Sequence, residues 1–225
     1  MYQILKFRTL KGGNVLEPIK TGYNDKILVE NFEDILSGLP LEKFPEEERY
    51  NVVASLELCH PEGKKDTKFY GQEILPIDID DIKDSSIKRE IFEVVCTSLL
   101  LNPDEVGCID TGNGIHILIK IPMWTRPDFF DHMKEAYSCM SDMLQMQLQQ
   151  NALQGKIDKG IFSRNKTTRL PGTRNDKTHL GKGVRIVSCI SAKIVLQKDF
   201  NLESFMALDV IKANAVKGYG SLDVA

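Results

Sequence analysis

Ile74-Leu75-Pro76-Ile77-Asp78-Ile79-Asp80-Asp81 is the stretch on which the reading of this chain turns. In an extended strand successive side chains point to opposite faces. Ile77 and Ile79 therefore share one face and Asp78 and Asp80 the other, roughly 6 to 7 Å apart along the backbone. Two carboxylates on one surface repel each other unless a cation neutralises them. Hard oxygen ligands at this spacing suit one or two Mg²⁺ or Mn²⁺ ions, and such a pair supports phosphoryl transfer. The alternative is a solvated strand end that runs into an acidic turn, since Asp81 and Asp84 continue the charge.

A second segment, Thr111-Gly112-Asn113-Gly114-Ile115-His116-Ile117-Leu118-Ile119-Lys120-Ile121, opens with a glycine turn and passes into alternation. Ile115, Ile117, Ile119 and Ile121 are expected on a buried face, with His116 and Lys120 projecting from the other. Glycines let the backbone approach a phosphate, and an imidazole followed by an ammonium supplies donors for a polyphosphate. A third segment, from Lys156 to Lys177, begins with the hydrophobic-Asp pair Ile157-Asp158 and then turns basic. Arg164, Lys166, Arg169, Arg174, Lys177, Lys182 and Arg185 face only Asp176 in opposition, inside a chain of net charge -3. A local cationic block in a mildly acidic protein calls for a local anionic partner, and phosphates are the obvious one. The Pro171-Gly172 turn is expected to present Arg169, Thr173 and Asn175 together.

In this order the three segments resemble the archaeo-eukaryotic primase superfamily, and within it the primase-polymerase domains of phages and plasmids. The family pattern of a strand ending in Asp-x-Asp, a glycine turn with a strand histidine, and a hydrophobic-Asp matches Asp78 and Asp80, Gly112 to His116, and Ile157-Asp158. Arg169-Leu170-Pro171-Gly172-Thr173-Arg174-Asn175-Asp176-Lys177 is similar to the Arg-x-Pro-Gly-Thr-x-Asn-x-Lys stretch of many viral and plasmid members. Position 111 carries threonine where serine is common, which keeps the hydroxyl. The resemblance covers roughly Phe69 to Arg185.

It implies a template-directed nucleotidyltransferase that makes or extends primers on single-stranded DNA. Asp78, Asp80 and Asp158 would hold the divalent metals, and His116 would contact the triphosphate. Thr111, Gly112, Asn113, Gly114, Lys120, Arg169, Thr173, Asn175 and Lys177 are the expected nucleotide and phosphate contacts, and Lys182 and Arg185 the template contacts. No zinc-binding insertion matches. Family members often continue into a helicase or accessory domain, so a helicase is an expected partner. Two rival classes share these features: a metal-dependent nuclease using the same carboxylates, and a non-catalytic module binding single-stranded DNA or an origin. The binder has few rings for base stacking, since aromatic content is 8% and Phe162 is the basic block's only ring.

Composition fits a globular, intracellular enzyme domain, and the resemblance implies a cytoplasmic protein encoded by a phage or plasmid. With 225 residues and 42% hydrophobic content the chain can bury a real core. No membrane span or signal peptide is expected. The scattered Cys59, Cys96, Cys108, Cys139 and Cys189 read as reduced thiols, and Cys59-His60 stands alone as a pair of potential ligands.

The expected class is α+β, a mixed or mostly antiparallel sheet with flanking helices. Strands are expected over Asn51 to Leu58, Phe69 to Asp80, Val106 to Asp110, Ile115 to Ile121, Val184 to Ile190 and Lys193 to Leu196. Helices are expected from Ile87 to Leu101, capped by Asp84-Ser85-Ser86, from Asp128 to about Gln150, and from Leu202 to Ile211. Residues 1–211 form the expected catalytic domain, with 1–48 hard to read, and 212–225 a tail or linker.

Overall fold

Two isoleucine-rich runs pair antiparallel and form the spine of the protein, because β-branched side chains pack well on a pleated surface. In chain order the computed structural model places strands β1 (Tyr2–Thr9), β2 (Leu16–Pro18) and β3 (Ile27–Val29), helix α1 (Phe32–Leu36), then β4 (Val52–Ser55), β5 (Leu58–Cys59) and β6 (Phe69–Asp80). Helix α2 (Lys88–Ser98), strands β7 (Gly107–Asp110) and β8 (Ile115–Trp124) and helix α3 (Phe129–Gln150) follow. The last strands are β9 (Lys156–Ile157), β10 (Thr167–Arg169), β11 (Arg174–Asp176), β12 (Val184–Ile186) and β13 (Ser188–Ser191). The structure describes residues 1–9, 16–18, 27–39, 41, 49, 51–59, 69–126, 128–164, 166–176 and 183–207. His60, Lys177, Lys182 and the tail 212–225 lie outside them.

The main sheet has six strands in the order β13-β7-β8-β6-β5, with β9 also beside β6. A second sheet of five runs β10-β4-β1-β2, with β3 also on β1, and β11-β12 form a separate ribbon. Each of these strand pairings is antiparallel, so the class is α+β with antiparallel sheets. Side-chain alternation assigns the layers. Ile77 and Ile79 share a face with Ile115 and Ile117, and all four are fully buried. Lys88, at the head of α2, reaches Asp110 on that face, and the chain leaving α3 brings Gly155 against Ile79. The opposite face meets α1 through the Lys120–Glu33 ion pair and β10 through a His116–Thr168 hydrogen bond. The spine therefore lies between a helical layer and the second sheet, and one hydrophobic cluster runs through all three. Each fully buried isoleucine contributes about 1.5 to 3 kcal/mol, so the core anchors the polar strand ends beside it.

Strand β6 and the β7–β8 hairpin lie close to where alternation places them. Asn51 to Leu58 instead divides between two sheets: Asn51 enters with φ 52°, and Leu56 hydrogen-bonds Lys166 rather than extending the strand. Val184 to Ile190 divides likewise, and Lys193 to Leu196 forms no strand beyond one bridge from Leu196 to Lys120. The helix expected from Ile87 begins as a 3₁₀ turn, Ser85–Ile87, which Asp84 caps by accepting from the Ser86 N–H. It ends at Ser98, and Leu100, with φ 58°, points its side chain into solvent. The last expected helix is a 3₁₀ turn, Leu202–Phe205, with its end outside the described residues. The N-terminal region supplies β1, which joins β4 to β2 and β3. Among the described residues no helix is long and apolar enough to cross a membrane. Cys96, Cys108, Cys139 and Cys189 are free thiols.

One glycine controls how closely the spine strands meet. A Cβ on Gly114 would overlap the Ile79 carbonyl oxygen and crowd Asp80 Cα, so β8 can start beside the end of β6 only with hydrogen at that position. Gly114→Ala is therefore expected to lower unfolding stability by about 1 to 3 kcal/mol in urea titration, the cost of overpacking. A change within about 0.5 kcal/mol, the range of ordinary surface substitutions, would refute this close approach.

Candidate metal centre and the glycine turn beside it

Strand pairing assembles the carboxylates. Asp78 and Asp80 leave the same face of β6, and β9 runs antiparallel alongside, with Ile79 opposite Ile157 and Asp80 opposite Lys156. The Asp158 N–H then donates to the Asp78 carbonyl at 2.9 Å, which continues the register and sets Asp158 beside Asp78. One oxygen from each of Asp78, Asp80 and Asp158 lies within 4.8 Å of the others. Asp158 is oriented by the 3₁₀ turn Lys159–Ile161, whose Gly160 N–H donates to its Oδ1 at 2.8 Å. Asp78 Oδ1 is buried and lacks a hydrogen bond, although His116 Nε2 approaches to 3.3 Å. A buried carboxylate oxygen in that state is costly, and a cation among the three groups would satisfy it. An all-oxygen, triply anionic donor set fits a hard divalent cation, so the cluster can hold a metal ion.

His116 sits directly across from Asp78 on β8. Its Nδ1 lies 2.9 Å from the hydroxyl of buried Thr168 on β10, so the second sheet fixes the ring while Nε2 faces the carboxylate. His116 is only 8% exposed. Arg169 follows on β10 and donates to Asn51 Oδ1 at 3.3 Å. Burial pulls its guanidinium below the usual value, and the Asp78 carboxylate opposes that shift, so the cation feels the cluster. Below the site Tyr137 stacks on Phe162, with ring centroids 4.1 Å apart, and donates to the Pro76 carbonyl. Burial pushes its phenol up, the Ser141 hydrogen bond opposes this, and the negative fields of Asp78 and Asp158 add to it.

The glycine turn is held from beneath. Gly112 has φ 92°, which favours glycine, and its N–H donates to Asp110 Oδ1 at 2.7 Å. Lys88, buried at the head of α2, donates to that same oxygen at 2.6 Å and to the Gly112 carbonyl at 3.1 Å. Thr111 and Gly114 close the turn through a 3.0 Å backbone bond, and Ile82 N–H holds the Asn113 carbonyl. Sequence reasoning missed Lys88, because a lysine opening an amphipathic helix reads as solvated; only its burial reveals the ion pair. Thr168 was missed too, since a hydroxyl two residues before Leu170 carries no pattern.

Of the expected phosphate contacts, the structure brings Thr111, Gly112, Asn113, Gly114, His116, Arg169 and Asn175 to this end of the sheet. Asn175 is buried beneath the turn and donates to the Thr111 carbonyl at 2.9 Å, so its amide braces the loop. Thr173 is fully buried, and its hydroxyl donates to the Leu170 carbonyl across the Pro171-Gly172 turn. Both are buried in this structure, as is Thr111. Lys120 shares the His116 face, but four residues of strand separate them by about 13 Å, and its ammonium is 3.8 Å from Glu33. Arg185, far from the carboxylates in sequence, packs its Cβ and Cγ against Gly112. Comparison with family models, with curated proteins and with solved structures returns no match.

Two measurements follow from this geometry. Lys88→Met is expected to cost about 3 kcal/mol in urea unfolding, the low end for breaking a buried ion pair because Asp110 keeps some contact with water. In metal-free buffer Asp78→Asn is expected to melt at or above the wild-type temperature, since one of three repelling charges is gone. Mn²⁺ is expected to raise the melting temperature of wild type but not of the variant. Equal Mn²⁺ stabilisation of both would show that the ion binds elsewhere.

Proposed function

We propose that this protein is a template-directed nucleotidyltransferase, a primase-polymerase that makes or extends primers on single-stranded DNA in phage or plasmid replication. The observation that carries this reading is the convergence of Asp78, Asp80 and Asp158 with His116, Arg169 and a braced glycine turn at one end of the main sheet. The motif order that resembles the primase superfamily agrees with it.

In this reading Asp78, Asp80 and Asp158 hold one or two Mg²⁺ or Mn²⁺ ions. Such ions, when bound, lower the pKa of the attacking 3′-hydroxyl and neutralise charge on the phosphates. The residues of the chain do the positioning. Thr168 holds the His116 ring at Nδ1, so Nε2, which faces Asp78, is the nitrogen that would donate to a triphosphate oxygen beside the cluster. Arg169 provides a fixed positive charge in a desolvated setting, where it stabilises negative charge developing on the transferred phosphate more than it would in water. The bare backbone at Gly112 and Gly114 lets phosphates come close, and Lys88 with Asn175 keeps that backbone from collapsing onto the cluster. A nuclease would use the same carboxylates on a phosphodiester but has less need of His116 and Arg169.

Incubating the protein with a labelled primer on a single-stranded template, with and without nucleoside triphosphates, separates these activities. Nucleotide-dependent lengthening is expected, and it should be lost in Asp78→Ala and Asp80→Ala while both variants keep their fold. Shortening that is independent of nucleotides would identify a nuclease instead. Arg169→Ala is expected to weaken nucleotide binding by about 1 to 3 kcal/mol, the range for charge-assisted hydrogen bonds, and to leave affinity for single-stranded DNA unchanged. His116→Ala should likewise raise the nucleotide KM with little effect on DNA affinity; equal losses in both would move the ring into the template path.

A further inference from the structure

Asp158 is the exposed member of the three carboxylates, and the strand that delivers it is short. β9 consists of Lys156 and Ile157, paired with Asp80 and Ile79. So brief a ladder offers few backbone bonds to offset the entropy of fixing the chain. The charges of Asp78 and Asp80 also push Asp158 outward whenever no cation lies among them. The hydrogen bonds that oppose this come from helix α3. The Gln145 side chain bridges the entry to β9: its Nε2 donates to the Gly155 carbonyl and its Oε1 accepts from the Ile157 N–H, each at 3.0 Å. Gly155 lies against Ile79, where a Cβ would come within 2.8 Å of Cγ2, so the carbonyl that Gln145 holds belongs to a residue with no side chain of its own to anchor it. On the other side of Asp158, the Lys159 ammonium donates to the Ser138 hydroxyl and the Asp142 carboxylate, each at 2.8 Å. Ser138, Asp142 and Gln145 are spaced i, i+4 and i+7, which sets them in one stripe along α3. The outer hold is the weaker, because Lys159 and Asp142 are both exposed to solvent.

We propose that Gln145 is a positioning residue of the metal centre: its amide holds the backbone that leads into Asp158, keeps the third carboxylate within reach of the other two before a cation arrives, and so sets how tightly the centre binds its cation. An amide suits this task. It donates and accepts at once, and it carries no charge to compete with the carboxylates for the metal. Order imposed before binding lowers the ordering cost that the cation must otherwise overcome. In sequence Gln145 reads as a polar residue on a helix; only its two backbone partners, 10 and 12 residues away, reveal the link to Asp158. The proposal rests on the three carboxylates holding the cation, and not on the reaction that follows.

The test is titration of the full chain with Mn²⁺, the free ion being followed by its electron paramagnetic resonance signal, at a temperature below the metal-free melt of each variant. Gln145→Met keeps the length of the side chain and removes both bonds. It is expected to bind Mn²⁺ about tenfold more weakly, the low end for groups that orient metal ligands, since Gln145 acts on the backbone beside Asp158 and not on its carboxylate. Gln145→Glu keeps an acceptor for the Ile157 N–H and loses the donor to Gly155. It too is expected to bind more weakly, although its added charge alone would attract a cation, and it decides the matter if Gln145→Met fails to fold. In an Asp158→Asn background, Gln145→Met is expected to cause no further loss, because the ligand it positions is gone. Unchanged Mn²⁺ affinity in a folded Gln145→Met, raised affinity in Gln145→Glu, or a loss that persists in full alongside Asp158→Asn would each overturn the proposal. Absence of primer extension with the Mn²⁺ series as expected would remove the nucleotidyltransferase reading and leave the role of Gln145 in place. Extension by a Gln145→Met variant that binds Mn²⁺ as wild type does would do the reverse.

Discussion

Three carboxylates that repel one another are held on a single face by backbone pairing, and the rest of the architecture follows from that constraint. Asp78 and Asp80 cannot diverge because the strand carrying them pairs with β8 from Gln72 to Ile79. Asp158 cannot swing away because its N–H is bonded to the Asp78 carbonyl and its carboxylate to Gly160. The strain is electrostatic, and fully buried isoleucines on the opposite face of the same strands supply the stability that tolerates it. An anionic cluster built in this way is poised for a cation.

The layers on either side have different tasks. The helical layer covers the apolar face and, through Lys88, locks the glycine turn at the edge of the site. The second sheet delivers polar groups: Thr168 to the imidazole, and Arg169 with its partner Asn51 to the neighbourhood of Asp78. The ribbon joins these by placing Asn175 beneath the turn and Arg185 against it. The ribbon and the glycine turn thus meet at Gly112, where φ is 92° and a Cβ would overlap the Arg185 side chain.

Where a segment's burial was periodic, the sequence was a good guide. The alternation in β6 and β8 foretold the strands and the faces, Asp78 with Asp80 on one strand and His116 with Lys120 on the other, because a period of two leaves little choice once one face is apolar. The pairing of Asp158 with this group came from motif order, since nothing local in Ile157-Asp158 reveals that β9 lies beside β6. Long-range partners were illegible for the same reason. Lys88 and Thr168 become meaningful only when residues 22 and 52 positions away come within reach. The inward turn of Thr173 and Asn175 was equally illegible: within a basic stretch nothing local shows that tertiary packing brings them to backbone carbonyls. β1 escaped notice because its run from Tyr2 to Thr9 alternates weakly and is followed by glycines.

The account stands on the three carboxylates holding the ions that act on a nucleotide. Anomalous diffraction from crystals soaked in Mn²⁺ with a non-hydrolysable nucleoside triphosphate tests this most directly. The account predicts manganese coordinated by Asp78, Asp80 and Asp158, with the triphosphate running from the metal past His116 toward Arg169. Manganese bound away from these residues, or a triphosphate seated elsewhere on the protein, would contradict it.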